Sequence, residues 1–505
     1  MDAVSVIRRA EPTPTPWRFR LNDTQWRILV QALMQDPLPF VGMWCDGQDV
    51  HAVFLETGSP LAATLALEGG RFLALSPARD VASLYERIIC DLYGAEVLWA
   101  VDDRPLLDHN VWQASMPMGR CFQFGEEQKG LLRFHVSDDF SQSFSYRRND
   151  VLEGWGPATG SMDSPFHVSA VLRKGHILRA ESQIGYAHRG LALRWRHSSI
   201  KEACRLSARV CAGVSMAHQV AFCMAVEKAC GVEVTWEVSL LRVTLLELER
   251  VVHHLYKLAS LARLIGAGLV ANRCMSLRED ILEAQVSVTG SRFLMDVCFP
   301  GTVILRKTDY IGELCHKLYR YIDEKIISLA TIWRDYPGLG TRLAVLGAIP
   351  CEAVVALGVE GPVARASGKE YDHRRIMPSY AELWRYTGIQ RQGTGEDRAF
   401  LLFDEITESV RMLGKLANPL STVSVIEERV CHVEKGEEGI AMVEGPWGPV
   451  FYWVWLSQGY ISHVFQRGPE YALQCLFERV LHGHTMEDLP LLACSLGVNT
   501  AALDS

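Results

Sequence analysis

The first hundred residues alternate between short apolar runs and turn-forming pairs. Between Val41 and Leu75, the runs Ala52–Leu55, Ala63–Leu67 and Phe72–Leu75 are broken by Asp46-Gly47 and Gly69-Gly70. Such breaks suit hairpins between half-buried strands. The next apolar set, Val81, Leu84, Ile88 and Leu92, recurs at three and four residues, so the pattern predicts a helix over Asp80–Tyr93 that Gly94 closes. Together these elements predict an α+β domain over residues 1–140. From Asp108 to Ser164 no period is sustained, and the polar stretch Ser141–Asp150 places an interdomain linker at 141–164.

A strand pair follows, Phe166–Arg173 and Ile177–Tyr186, joined at Lys174-Gly175. Helical periodicity then dominates: Ile200–Ala229, Thr235–Leu264, Glu279–Cys298 and Asp309–Arg334. In the second of these, Val238, Leu241, Leu245, Leu248, Val252 and Leu255 form one apolar seam, which predicts the core of a helix bundle. The opposite side carries a polar stripe, Glu247, Arg250 and His254, whose spacing alone suits a solvated or salt-bridged face. Leu343–Ala364 reads as strands and turns. The tail alternates again from Ile440 to Arg467, with Val450–Trp455 as a β-ribbon, and ends in a helix over Glu470–Leu481. The second domain, 165–505, is therefore expected to be a mainly helical bundle with peripheral β-ribbons.

Composition narrows the functional classes. A chain of 505 residues that is 49% apolar can bury large cores, and at roughly 150 residues per domain it holds two to four. Its net charge of −8 argues against nucleic acid as a partner. The 14 cysteines never approach within a Cys-x-x-Cys spacing and no secretory signal is read at the first residues, so reduced, buried thiols are expected. A membrane span needs about 20 mostly apolar residues; the best candidate, 343–364, is interrupted by Pro350 and Glu352. Membrane contact is expected only through partners.

The segment most loaded with chemistry is Arg209-Val-Cys-Ala-Gly-Val-Ser-Met-Ala-His218. A Cys-x-x-Cys pair at a helix start presents two thiolates to one metal, yet the second position here is Val214, and one soft ligand does not hold a metal alone. Other ordered blocks accompany it: Gly156-Pro157, Gly185-Tyr-Ala-His-Arg-Gly190, Ala225-Val-Glu-Lys228, then Arg242, Glu247, Arg250 and His254. Further on stand Arg278-Glu279, Thr289-Gly-Ser-Arg292, Arg365-Ala-Ser-Gly368, Asp372 and Arg374. In order and spacing these blocks resemble the large subunit of membrane-bound [NiFe] hydrogenases, the formate hydrogenlyase branch, and the D subunit of respiratory complex I. Upstream, Tyr85-Glu-Arg-Ile-Ile-Cys-Asp-Leu-Tyr-Gly94 and Asp102-Asp-Arg-Pro-Leu-Leu107 resemble the complex I C subunit. Formate hydrogenlyase large subunits show the same fusion of C-like and D-like parts.

The resemblance implies a nickel–iron site with four cysteines, which map to Cys211, Val214, Asn499 and Ala502. Only one thiolate is present, and a proton-relaying glutamate of the family maps to Ala192. NiFe hydrogen chemistry is therefore not expected. For complex I the implied quinone-contacting Tyr and His map to Ala212 and Thr159, which leaves Thr159, Asp163, His167 and His218 as polar candidates for a retained quinone site. Arg209 matches an arginine that faces the partner's iron–sulfur cluster, while Cys211 alone suits inert packing. The glycines of Ile265-Gly-Ala-Gly268 make no phosphate-binding signature, so no cofactor, NAD included, is expected to bind directly.

The implied role is that of a subunit of a hydrogenase-like, complex I-like oxidoreductase on the cytoplasmic side of the inner membrane. Its expected partners are an iron–sulfur small subunit, complex I B-subunit-like and carrying a [4Fe-4S] cluster, other hydrophilic-arm subunits and membrane-arm proteins. Within that complex the chain would take part in electron transfer to quinone or another acceptor. The competing reading is a catalytically inactive scaffold.

Overall fold

The computed structural model describes residues 2–109, 112, 114–119, 123–124, 150–160, 163–385, 392–423 and 436–503. Most of the polar stretch expected as linker, 141–149, and residues 161–162 lie outside them. The chain divides into two compact units, Met1–Leu193 and Arg194–Leu503.

In the first unit, strands Glu11–Pro12, Arg18–Leu21, Ser59–Ala66, Asp49–Glu56 and Phe40–Cys45 lie side by side in that order. Only the Arg18–Leu21 and Ser59–Ala66 pairing is parallel. The apolar runs of the sequence become its buried residues, among them Ala52, Val53, Phe54 and Ala63. The helix Ala82–Tyr93 ends at Gly94 in the left-handed region, as its periodicity requires. The two blocks noted at 85–94 and 102–107 are bonded to each other. Arg87 reaches Asp102 at 3.1 Å and the carbonyl of Pro105 at 2.9 Å, and Asp91 accepts the amides of Leu106 and Leu107. A separate three-stranded sheet, Asp150–Trp155, His167–Arg173 and His176–Gln183, turns at Lys174 and Gly175, both with positive φ. The described end of the expected linker is thus a strand.

The second unit is built on the 29-residue helix Trp236–Leu264, started by Thr235, whose side chain accepts the amide of Val238. Every residue of the predicted seam is buried. Glu227 on the helix Ser215–Cys230 holds Arg242 of the long helix through two hydrogen bonds, both side chains buried. The long helix packs beside Gly268–Thr289 and Gly395–Leu420, and Ile311–Asp335 packs on the latter two. The ribbon Glu437–Gly445, Gly448–Ser457 and Tyr460–Arg467 is antiparallel and lies on the helix Ser215–Cys230.

Four expectations are corrected. The helix expected over Ile200–Ala229 is two helices, Ile200–Ser207 and Ser215–Cys230, because the carboxylate of Glu249 on the long helix caps the second one at the amides of Met216 and Ala217. That cap comes from another element and leaves no local signal. The helix expected over Glu279–Cys298 is Gly268–Thr289: Gly266 (φ +87°) breaks the chain before it, and Gly290 (φ +80°) ends it. The segment 343–364 is not strands. It forms the single-turn helices Leu339–Ala344, Cys351–Ala356 and Gly361–Ala366, separated by turns at Gly347 and Gly358. Finally, of the two readings of the stripe Glu247, Arg250 and His254, the solvated one fails, since all three are 0–1% exposed, and the salt-bridged one holds, with Arg250 on Glu247 at 3.2 Å. The helix Gly395–Leu420, which covers that side, was not among the helices read from the sequence.

Close packing between ribbon and helix makes one prediction. A Cβ on Gly439 would lie 2.0 Å from the carbonyl oxygen of Ala225 and 2.7 Å from the amide of Ala229. Gly439→Ala is expected to lower the unfolding free energy by about 1–3 kcal/mol. Chemical denaturation followed by circular dichroism measures it, and an unchanged midpoint would contradict this close approach.

Candidate functional site

The loop between the helices Ile200–Ser207 and Ser215–Cys230 carries the lone candidate thiolate. Cys211 is 2% exposed, and the side-chain amide of Asn499 donates to its sulfur at 3.5 Å. The fold therefore does bring the first and third expected ligand positions together. The other two are filled by hydrocarbon. Val214 is buried against the ribbon, its Cγ1 3.1 Å from where a Cβ on Gly445 would stand. Ala502 is fully buried, and its carbonyl accepts from Gln466 at 2.5 Å. One thiol facing an amide N–H, with Val and Ala beside it, does not fit a four-thiolate nickel–iron centre.

The ribbon tip closes the same region. Between Gly445 and Gly448 the turn presents Trp447, which is buried against Gly497: a Cβ there would lie 2.6 Å from the indole. The rings of His253 and His254 stand 5.9 and 6.5 Å from that of Trp447, and the ammonium of Lys257 lies 5.9 Å from it. Gly213 of the loop is forced to be small by His253, 2.8 Å from its absent Cβ. Burial, then the cation of Lys257, hold His253 neutral, far below the usual imidazole range.

Behind the tip lies a connected set of buried charges. Arg250 bonds Glu247 at 3.2 Å, and it donates to the carbonyls of Glu444 and Gly445 at 3.0 and 2.8 Å, which ties the long helix to the ribbon. Arg365 donates to Glu405 at 2.6 and 2.9 Å and to Glu444 at 3.0 Å. Arg374 bonds Asp372 at 2.7 Å and Glu247 at 3.3 Å; Tyr380 and Ser409 also donate to Glu247. His254 meets Glu405 at 2.9 Å. The eight ionisable groups are all at most 2% exposed. Desolvation costs several kcal/mol per ion, which only these mutual bonds offset. Burial raises the carboxyl pKa values, yet Arg365 and then His254 hold Glu405 well below the usual range. Glu444 goes the other way: burial, then the neighbouring Asp372, push it up to about 7.

The remaining candidates are dispersed. His218 is fully buried and its Nδ1 lies 3.0 Å from the hydroxyl of Tyr452. Arg209 is on the surface, forked onto Asp296 by two bonds of 2.7 Å. Thr159, Asp163 and His167 belong to the first unit, where His167 contacts the carbonyl of Gly156 at 3.2 Å and Ser169 at 3.3 Å. Burial depresses His167. The sequence reading missed Glu249, Glu405, Glu444 and Trp447. Glu405 and Glu444 left a partial signal, since a lone Glu in an apolar stretch such as Ala441-Met-Val-Glu444 needs a buried partner.

The family model of the respiratory-chain NADH dehydrogenase 49 kDa subunit matches residues 265–438. The carbon monoxide-induced hydrogenase of Rhodospirillum rubrum is 25% identical over 352 residues, 68% of this chain and 95% of that protein. Formate hydrogenlyase subunit 5 of Escherichia coli is 23% identical over 459 residues, 88% of this chain and 80% of its own length. A chain of the membrane-bound sulfane sulfur reductase, an archaeal respiratory membrane complex, superposes with a TM-score of 0.66 at 20% identity. That match covers 72% of this chain and all of the other, and it shows a shared fold.

Arg365 joins three of the carboxylates, with Asp372 at 3.1 Å as the third. Arg365→Met is expected to destabilise the second unit by about 3–5 kcal/mol, because it leaves those carboxylates buried without their shared cation. The double variant Arg365→Met/Glu405→Leu should recover part of that loss. Urea denaturation of the four proteins of the cycle checks both statements, and strict additivity would contradict the coupling.

Proposed function

We propose that this chain, a complex I D-subunit-like and [NiFe] hydrogenase large-subunit-like protein, is a docking subunit of a membrane-associated oxidoreductase complex. In this reading residues 1–140, within the first unit, are the complex I C-subunit-like part, and 141–164 lead from it to the D-subunit-like part over 165–505, whose first strands still fall in the first unit. It holds an iron–sulfur small subunit, complex I B-subunit-like, whose [4Fe-4S] cluster passes electrons to quinone or another acceptor, and it performs no hydrogen chemistry itself. The observation that carries this reading is the contact between Cys211 and Asn499, which replaces a metal-ligand pair by a neutral hydrogen bond. No described helix is long and apolar enough to cross a membrane, so attachment on the cytoplasmic side through partners is part of the proposal.

Arg209 supplies the electrostatic side of the argument. A fixed cation beside a cluster favours its reduced, more negative state and raises its potential. Asp296 compensates most of that charge where it stands. A second reading, the inactive scaffold, is favoured by Trp447, whose ring fills the space against Gly497 where a small ligand would need room.

The two readings part in the assembled complex, purified with its partners. Arg209→Met is expected to lower, and Asp296→Asn to raise, the midpoint potential of the partner's cluster in an electron paramagnetic resonance titration. Nickel should be absent from the preparation by elemental analysis. If neither variant moves the potential and turnover is unchanged, the scaffold reading replaces the electron-transfer one; stoichiometric nickel would overturn both.

A further inference from the structure

We infer that the buried network of Glu247, Arg250, His254, Arg365, Asp372, Arg374, Glu405 and Glu444 is a one-proton site, binding a single exchangeable proton on Glu444 or on the His254–Glu405 pair. The inference concerns the second unit alone and does not depend on the docking role. It begins with charge. Four carboxylates stand against three guanidiniums, and every one of these side chains is at most 2% exposed. A net negative charge sealed from water is expensive, and one proton removes it.

Geometry restricts where that proton can sit. Glu247 accepts from Arg250, Arg374, Tyr380 and Ser409, which saturates both oxygens with donors. Asp372 accepts from the Arg374 guanidinium and backbone amide and also faces Arg365. These two carboxylates have no vacancy for a proton. Glu444 has fewer donors: Arg365 on Oε1 and the amide of His373 on Oε2 at 3.3 Å. Asp372 on the following segment repels its charge, and Arg250 and Arg374 offset that from the long helix and the same segment. His254 is the alternative acceptor. Its Nε2 lies 2.9 Å from Glu405, and it is faced by Arg365 from the helix Gly361–Ala366, by Arg250 from its own helix and by His253 beside it. His254 Nδ1 has no hydrogen-bond partner among the described residues.

Arg365 is what makes the two places one site. Its guanidinium bonds Glu405 and Glu444 at once, so moving the proton between the two acceptors changes no net charge and needs no displacement of the cation. Burial depresses His254, whereas Glu444 is raised to about 7, so Glu444 is the preferred acceptor and is about half protonated at neutral pH. The sign follows for stability. A carboxyl raised in the folded state contributes stability that is complete below its ordinary pKa and is lost as pH rises through about 7.

Infrared difference spectra of the full chain, stepped from about pH 5.5 to about pH 8.5, test this through the C=O stretch of protonated carboxyls. Bands of protonated carboxyls are expected to fade with rising pH, and one of them to be missing in Glu444→Gln while remaining in Glu470→Gln and in Glu249→Gln, which remove the other carboxyls raised to about 7 and about 8. Glu405→Gln leaves three carboxylates against three guanidiniums, so the titration of the Glu444 band should move down by about one pH unit or more, a tenfold weaker proton affinity. A Glu444→Gln spectrum that superimposes on the wild type overturns the inference. So does a band whose midpoint Glu405→Gln leaves unmoved, which also decides the matter if Glu444→Gln fails to fold.

Discussion

The bond on which the second unit depends is the fork from Arg365 to Glu405 and Glu444. It connects the short helix Gly361–Ala366, the helix Gly395–Leu420 and the ribbon in one stroke, and Arg250 extends the connection to the long helix. None of these elements could bury its own charge alone. Replacing such a network by well-packed hydrocarbon is often neutral or stabilising in other proteins, so its presence argues for a demand on geometry rather than on stability. Here the demand is the position of the ribbon tip. Arg250 grips the carbonyls just before the turn that presents Trp447.

That tip stands over the four positions that the resemblance assigns to metal ligands. Cys211 and Asn499 still meet, Val214 and Ala502 have joined the core, and Trp447 leans on Gly497. The elements that carry these positions are held by the buried ion pairs and helix seams behind them, so the fold does not require a ligand there.

Much of this was legible in the chain. The seam of the long helix, the Lys174-Gly175 turn and the ribbon are local patterns, and the described residues carry them where the periodicity put them. The blocks around Arg209, Glu227, Arg242 and Arg365 were legible as a set, and within it Glu227 and Arg242 prove to be bonded to each other. The misreadings have two causes. The break at Ala208–Val214 is set by a cap from an element distant in sequence, Glu249, 33 residues beyond the helix start it caps. The start at Gly268 and the turns through 343–364 instead follow local left-handed glycines, Gly266, Gly347 and Gly358, that the apolar pattern obscured.

The sequence by itself determined that this protein is a mixed α+β chain with a helical core, that it carries a single thiolate where a metal would need several, and which blocks tie it to its relatives. Periodicity and residue chemistry suffice for the first of those statements, because it concerns what each segment contains; the other two rest on the resemblance of ordered blocks to a known family. Only the tertiary structure decided that Glu247, Arg250 and His254 face a sealed interior instead of water, and that their counter-ions come from Arg365, Arg374, Glu405 and Glu444. Helical spacing shows that three polar residues share a face; it carries no information on what covers that face, and the dielectric there, set by the covering elements, determines whether a charge is solvated, paired or protonated.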